Sequence, residues 1–279
     1  VSKVSSDLQA NFTTIVKAIG TKKPLVTLLG PGGKTPACAA LVFGMGGKLT
    51  RAVNADAAEL AAVSQALLVD LDQLNPDTGN AITKALTAAK AKATPVVLVV
   101  TGAELVPGRR AMALALLGKK QVVIVRGNYN ECASLIGADK LPAGATADEL
   151  AQLAQNLAGV AAEKFGCVFC VDGGANVYVS DGKREVVLNS PAAALLSRVP
   201  ANPVLAGAVT ACCAGASGAS DAFAVAALGQ VILGEGAVLA KHFTEKKDGP
   251  GTFAVRLVDG VYNIVQNWDV FQMQMKKME

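Results

Sequence analysis

A glycine-rich turn near the N-terminus is the first segment whose composition could serve phosphate chemistry. Residues 30–35 have the sequence Gly-Pro-Gly-Gly-Lys-Thr, which is similar to the end of the phosphate-binding pattern G-x-x-x-x-G-K-[ST]. In such a loop, backbone N–H groups and the lysine surround the phosphates. The leading glycine of the pattern would be Leu28 here, so the favoured interpretation is a plain turn before a helix that begins near Pro36.

Cysteine and histidine chemistry has little support in this sequence. Cys167 and Cys170 have the C-x-x-C spacing of zinc and redox sites, but Val and Phe lie between them and Val171 follows. That pattern predicts a buried strand whose two cysteine side chains lie on opposite faces. His242 is the single histidine of the chain, and one histidine forms neither a triad nor a metal cage. We therefore predict no metal site.

The elements that must position any site follow from hydrophobic periodicity. Short β-branched runs alternate with alanine-rich stretches in which apolar residues recur every three or four positions. The predicted strands are 25–29, 66–71, 95–101, 121–126, 168–171 and 177–179, and the predicted covering helices are 55–65, 79–93 and 146–164. Longer helical stretches lie around 207–233, and residues 253–265 alternate like one more strand or a helix edge. This order predicts an α/β fold with a mostly parallel sheet, whose ligands bind beyond the carboxyl ends of the strands.

Composition limits the functional classes. A chain of 279 residues with 52% hydrophobic content can form a single domain over 1–279, with an N-terminal helix in 1–23 and a C-terminal extension at 267–279. A formal net charge of +4 is too small and too scattered to predict nucleic-acid binding. Apolar runs such as 95–100 are far shorter than the ~20 residues that cross a bilayer, so no membrane span is predicted.

The cysteines and the first residue bear on the cellular compartment. The six cysteines lie in apolar or alanine-rich segments, as buried thiols of a reducing compartment do, and we predict no disulfide framework. The chain begins at Val1 and not at methionine, which suggests a processed mature form. We therefore consider import into an organelle, and specifically a mitochondrial location.

Two motifs resemble those of hydroxyethylthiazole kinases. Residues 124–137 contain the R-G-N-x-x-E pattern of that family, with Arg126, Asn128 and Glu131 in place, and residues 248–253 are similar to its K-G-P-G-S-F stretch. The resemblance extends from about residue 24 to 265. It implies a ribokinase-like fold with helices on both faces of the sheet, typically as a trimer that related chains can also share. It also implies magnesium-ATP as phosphoryl donor and hydroxyethylthiazole as acceptor.

The same resemblance indicates which residues would bind the nucleotide. Arg126, Asn128 and Glu131 come from the first motif, and Gly173 comes from residues 171–178, which match the family's V-T-G-x-x-D-x-V loop. We regard these four as vestigial cofactor-binding residues. Asp172 replaces the threonine of that loop, and an anion here disfavours a triphosphate by like-charge repulsion.

Other family motifs are replaced. The glycine turn G-x-G-C aligns with residues 200–204, Pro-Ala-Asn-Pro-Val, in which prolines remove N–H donors and Val204 stands at the position of the family's catalytic residue. A second alignment places that residue on Cys212 or Cys213, but it also lacks the glycine turn. On the metal side, the family's aspartate becomes Val99, and Glu104 replaces it only if its loop shifts.

The segments that form the family's substrate pocket have changed as well. Residues 27–31 replace the family's H-N-I-T-N segment, and Arg51 stands where the family has a pocket methionine. Asp70 and Asp72 replace the asparagine and glycine of the N-I-G-T segment. The two aspartates and Arg51 bring charge to a pocket that is uncharged in the family.

From these substitutions we predict a pseudoenzyme with no catalytic residues and no bound cofactor. It would be a structural or assembly subunit of a larger, organellar complex that contacts other protein subunits. The C-terminal stretch with Trp268 and Phe271 is either a partner-binding anchor or a helix packed on its own domain. The alternative function is an active kinase that phosphorylates hydroxyethylthiazole or another small alcohol, using Arg126 and Glu131. A weaker third possibility is a nucleotide sensor without activity.

Overall fold

The computed structural model describes residues 5–189, 192–199, 202–218, 221–245 and 247–277. Within these residues the strands are β1 (Leu25–Leu29), β2 (Lys48–Arg51), β3 (Ala66–Asp70), β4 (Val96–Val99), β5 (Val122–Asn128), β6 (Val168–Gly173), β7 (Asn176–Ser180) and β8 (Glu185–Asn189). They form one sheet in the order β2-β1-β3-β4-β5-β6-β7-β8. All neighbours from β2 to β6 are parallel, and β7 and β8 extend the sheet antiparallel.

The helices of the described residues fill the connections between the strands. They are α1 (Ser6–Lys22), α2 (Thr35–Gly44), α3 (Ala57–Val63), α4 (Pro76–Lys90), α5 (Pro107–Gly118), α6 (Tyr129–Ile136), α7 (Ala147–Phe165), α8 (Ala193–Leu196), α9 (Asn202–Ser217), α10 (Ala222–His242), α11 (Pro250–Gln266) and α12 (Trp268–Lys277). The predicted α/β fold with a mostly parallel sheet is confirmed. Residues 253–265 belong to a helix, which Pro250 opens at its first turn, and not to a strand.

Two hydrophobic cores cover the two faces of the sheet. Because side chains alternate along a strand, Leu68 faces one core and Leu67 and Val69 face the other. The first core contains buried residues of α1, α2, α9, α10 and α11, and the second contains those of α3 to α7. The prediction of helices on both faces is therefore confirmed.

Helix α10 lies at the centre of the first core. Its 21 residues have a window of mean hydropathy 1.8, so by length and composition alone it could cross a membrane. That window is 72% buried inside the protein, which is what a core helix requires. The helical stretch predicted around 207–233 overlaps this helix, whose apolar sequence contains the polar residues Gln230 and Glu235.

The C-terminal helix α12 packs on its own chain. Trp268 is buried, its ring lies edge-on 6.4 Å from Phe12, and its Nε1 donates to Thr13 Oγ1 at 3.0 Å. Phe271 is also buried. For these two aromatic residues, the packed-helix interpretation is confirmed over the partner-anchor interpretation.

Candidate active site

A cavity of about 290 Å³ opens at the carboxyl ends of β5 and β6. Apolar side chains from β7, β8 and α8 line part of it, including Val177, Leu188 and Leu196. Its polar lining includes Arg126 and Asn128 of β5, Asp172 of β6, Asn202 at the start of α9, and Gln230 and Glu235 of α10. Ligands of open parallel sheets bind at this edge, so the cavity is the candidate active site.

Strand register brings the charged residues of the cavity together. In the parallel pair β5 and β6, Arg126 lies beside Cys170 and Asn128 beside Asp172. Residues two apart on a strand share a face, so Arg126, Asn128 and Asp172 all point to the same side of the sheet. Arg126 Nη2 donates to Asp172 Oδ1 at 2.9 Å.

Arg126 is the first member of a buried polar chain that continues into α10. The residue is 3% exposed, and its Nε donates to Gln230 Oε1 at 3.4 Å. Gln230 Nε2 in turn donates to Thr210 Oγ1 at 3.3 Å, and that hydroxyl donates to the carbonyl of Ala206. Arg126 Nη1 is buried and has no hydrogen-bond partner among the described residues. An unpaired buried donor is costly, so this N–H is the natural contact for an acceptor on a ligand.

Glu131 stabilises the local backbone through hydrogen bonds and does not line the cavity. Its Oε2 accepts from the backbone N–H of Asn128 at 2.8 Å, and the Asn128 side chain accepts from the backbone N–H of Glu131, which is a capping box at the start of α6. Its Oε1 accepts from Gly102 N at 2.8 Å and so ties down the loop after β4. Burial raises the pKa of Glu131 to about 7, although both hydrogen bonds favour the charged form.

Gly173 also lies outside the cavity lining. A Cβ at this position would lie 2.6 Å from Cε2 of the Tyr178 ring and 2.9 Å from Cβ of Ala154, so the glycine permits close packing of α7 on the sheet. The neighbouring Gly174, which has a φ of 81°, lines the cavity in its place. Of the four predicted nucleotide-binding residues, the structure brings Arg126 and Asn128 to the cavity, and their binding of a ligand stays a prediction.

The residues of the replaced glycine turn are only partly described. Pro200 and Ala201 lie outside the described residues, as does Val1. Asn202 begins α9 and lines the cavity, and its Oδ1 is buried without a hydrogen-bond partner in the described part of the chain. Val204 is fully buried, as is Val99 on the metal side. Neither valine can bind a metal or accept a proton.

A second polar cluster occupies the same edge of the sheet, beyond β1, β3 and β4. Lys34 Nζ contacts Asp70 Oδ2 at 3.1 Å and Asp72 Oδ2 at 2.8 Å, and Arg109 Nη1 contacts Asp72 Oδ1 at 3.1 Å. Thr101 Oγ1 donates to the other Asp70 oxygen at 3.1 Å. Asp70 and Asp72 therefore bring charge to this region as paired carboxylates.

Burial and pairing act in opposite directions on the ionisation of this cluster. Burial opposes the charge of Lys34, but hydrogen bonds to Asp72 and Asp70 outweigh it and raise its pKa. Burial likewise opposes the charge of Asp72, but the hydrogen bond from Lys34 prevails and lowers its pKa. Both shifts favour the charged forms of Lys34 and Asp72.

The glycine-rich segment that contains Lys34 does not form a phosphate-binding loop. Gly32–Lys34 is one turn of 3-10 helix, and α2 begins directly after it. The preferred prediction of a plain turn before a helix is confirmed. Arg51 donates through Nε to the carbonyl of Gly30 at 2.9 Å and so braces the same turn.

No cysteine and no histidine is among the described residues that line the cavity. Cys170 packs in the first core and Cys167 against the second, so the prediction of opposite faces is confirmed. Burial raises the pKa of each of these thiols to about 12. Across the described residues, no group of three or more His, Cys, Asp and Glu side chains is placed to hold a metal.

Sequence reasoning missed Gln230 and Glu235. Gln230 lies 104 residues from Arg126 along the chain, so only the packing of α10 on the sheet brings the two together. Burial raises the pKa of Glu235, which forms no ion pair within the described residues. A polar residue on an otherwise apolar core helix was the available signal.

Comparison with known proteins identifies a consistent set of relatives. The sequence profile of the Hydroxyethylthiazole kinase family matches residues 16–267. A hydroxyethylthiazole kinase of Ruminiclostridium cellulolyticum is 27% identical over 268 residues, which cover 94% of this chain and 96% of that protein.

Solved structures give the same picture of the fold. The hydroxyethylthiazole kinase protein of Pyrococcus horikoshii superposes with a TM-score of 0.79 at 24% identity and covers 92% of this chain and 96% of its own. Pyridoxal kinase of Bacillus subtilis, solved as an ADP complex, has a TM-score of 0.55 at 16% identity and covers 77% of this chain and 91% of its own. The ribokinase-like fold expected from the motifs is confirmed.

These comparisons correct the predicted function. The expectation of a pseudoenzyme that serves as a structural or assembly subunit is wrong, because the relatives are named as kinases and match over nearly the whole chain. Nothing in the comparisons points to a subunit of a complex, and the mitochondrial location expected from Val1 is equally without support. The substituted turn misled the prediction, because lost donors at one loop lower a rate and do not by themselves abolish an activity.

Proposed function

Since the chain belongs to the hydroxyethylthiazole kinase family, we propose that it is a kinase that uses magnesium-ATP to phosphorylate the hydroxyl group of hydroxyethylthiazole or another small alcohol. The family match across residues 16–267 carries this proposal. The cavity supports it, because it lies at the ligand-binding edge of the sheet and contains a buried guanidinium with an N–H that has no partner in the described part of the chain.

The residues present fit an anionic phosphoryl donor. Arg126 offers Nη1 to a phosphate oxygen, and arginine is suited to that contact by its planar array of donors. Glu235 is the cavity carboxylate that is not paired with Arg126, and it would hold magnesium, because this ion needs only one or two protein carboxylates when phosphates supply its other oxygen ligands. The apolar lining, with Leu188 and Leu196, suits the uncharged part of a nucleotide.

The preferred alignment places Val204 at the position of the family's catalytic residue, and a valine there is compatible with this reaction. ATP supplies the phosphoryl group, and its transfer passes through a loose transition state in which positioning and charge stabilisation dominate. Arg126 provides a fixed positive charge, which Gln230 holds in place through Nε. Asn202, at the opening of α9, adds a side-chain amide at the same cavity. We therefore expect slow but measurable turnover.

The test is a turnover assay on the full chain with magnesium-ATP and a panel of small alcohols headed by hydroxyethylthiazole. ADP release is followed continuously, and the phosphorylated alcohol is identified by mass spectrometry. Arg126→Gln is expected to lower kcat/KM about 100-fold, the order seen when one charge-stabilising donor is lost. Arg256→Gln, an exposed arginine on α11, is the matched control and should leave turnover unchanged. Absence of any phosphorylated product from the natural chain would overturn the proposal.

The assembly expected from the resemblance belongs to the same proposal. We propose that the chain is a single domain over 1–279 and forms a trimer, alone or with related chains. Light scattering on the purified protein gives the mass directly. A monomer mass at micromolar concentration would contradict the homotrimer.

A further inference from the structure

The ion pair between Arg126 and Asp172 lies inside the cavity of the proposed active site. The Asp172 carboxylate accepts a hydrogen bond from Arg126 Nη2, one of the two terminal guanidinium nitrogens that can face a ligand. The arginine side chain is 4% exposed and the aspartate side chain 28%, so solvent reaches the pair only from the aspartate side. An anion in this cavity therefore meets Asp172 as well as Arg126.

Gln230 prevents the guanidinium from turning away from this contact. It accepts from Nε at 3.4 Å and is itself held through Nε2 by Thr210, both residues being buried. Nε and one N–H of Nη2 are engaged, whereas Nη1 has no hydrogen-bond partner within the described residues. A phosphate compound can bind Nη1 beside the Asp172 carboxylate, or it must displace that carboxylate from Nη2.

Building on the proposed kinase function, we propose that Asp172 is a specificity-determining residue that acts as an internal anion and limits the affinity of the cavity for polyphosphates. Like charges at a partly buried site repel with little screening, and the existing ion pair must be weakened before a phosphate gains the whole guanidinium. Neutral ligands of the same cavity bear no such penalty. The site is thereby tuned against highly charged phosphates while it retains one donor for them.

The experiment measures binding without turnover. Sodium tripolyphosphate, in metal-free buffer, is titrated calorimetrically into the natural chain and into Asp172→Asn. The amide keeps an oxygen for Arg126 Nη2 but removes the charge, so tripolyphosphate should bind about tenfold more tightly or better, as expected when one like charge is removed. Adenosine, which is uncharged, should bind both proteins equally.

Three further proteins make the result specific. Asp172→Thr removes the same charge and should reproduce the gain, in case the asparagine variant folds poorly. Asp259→Asn removes an exposed aspartate that pairs with Arg256 on α11 and should bind tripolyphosphate as the natural chain does. The double variant Arg126→Gln, Asp172→Asn should lose the gain, because the guanidinium is the group that Asp172 occupies.

The outcomes separate this inference from the kinase proposal. If Asp172→Asn and Asp172→Thr bind tripolyphosphate no more tightly than the natural chain, the inference is overturned, even where alcohol phosphorylation is observed. If adenosine binding shifts by the same factor, Asp172 acts on cavity shape and the inference is also overturned. A selective gain for tripolyphosphate supports it whether or not any alcohol is phosphorylated.

Discussion

The contact between α10 and α11 leads to the sharpest stability prediction. A Cβ on Gly260 would lie 2.1 Å from the carbonyl oxygen of Gly236 and 2.9 Å from its carbonyl carbon. Conversely, a Cβ on Gly236 would lie 2.9 Å from the backbone nitrogen of Val261. The obstacles are backbone atoms, so no rotamer change relieves them. We predict that Gly260→Ala destabilises the protein.

The size of the effect follows from the distances. Carbon and carbonyl oxygen rest at about 3.3 Å or more, so the two helices must separate by about 1 Å to admit the methyl group. Overpacking of this kind costs ~1–3 kcal/mol, and the upper part of that range applies where backbone blocks the site. The higher helix propensity of alanine relative to glycine stabilises the variant by up to ~1 kcal/mol and offsets part of this cost. We expect a net loss of about 2 kcal/mol in the free energy of unfolding.

Gly159 in α7 provides the matched control. It also lies inside a helix, but a Cβ there would meet nothing within 4 Å. Gly159→Ala should therefore stabilise the protein by ~0.5–1 kcal/mol. Urea unfolding followed by circular dichroism measures both variants against the natural chain, at unchanged m-value. A Gly260→Ala protein as stable as the natural chain, or a Gly159→Ala protein that loses stability, would refute the reasoning from close approach.

Three other predictions test the site region. The raised pKa of Glu131 stabilises the fold below the unfolded value of 4.5, and this contribution is lost as pH rises through about 7. The urea midpoint should therefore fall between these pH values, and Glu131→Gln should reduce the fall. An equal fall in the variant would contradict this prediction. Lys34→Met leaves the fully buried Asp70 carboxylate without its cation and should lower the free energy of unfolding in urea by ~3 kcal/mol. Adding Asp70→Asn to this variant should restore much of the lost stability, and no recovery would exclude the ion pair as the cause. A thiol reagent at pH 8 should label Cys167 and Cys170 in denaturant but not in the native protein, because burial raises the pKa of each thiol to about 12. Rapid labelling of the native protein would refute this prediction.

The fold was predictable because its signals are local and repeated. Buried parallel strands such as β3 and β4 are short continuous runs of Val, Leu and Ala, and the helices between them keep a three-to-four apolar spacing. The two missed strands lack that signal. β2 is a four-residue strand at the sheet edge with Lys48 and Arg51 at its ends, and β8 alternates exposed and buried residues at the other edge.

The site was predictable only in part. Arg126 and Asn128 were found because they follow an apolar strand in a recognisable motif, and both line the cavity. Asp172 was identified as an anion in the nucleotide loop, but its contact with Arg126 was not predicted, and Gln230 was not identified at all. Asp172 is 46 residues away and Gln230 104 residues away, so their contacts depend on sheet register and helix packing and not on spacing along the chain.

The substitutions at the ligand-binding edge are coupled by charge. Asp70 is fully buried, and such a carboxylate is tolerated only with a close cation, which Lys34 supplies. Asp172 stands against Arg126, which Gln230 supports from α10. An edge that had merely lost its function would accumulate unpaired charges, each costly when buried. Here Asp70, Asp72 and Asp172 each have a basic partner. These three aspartates therefore belong to charge-balanced units at this edge of the sheet.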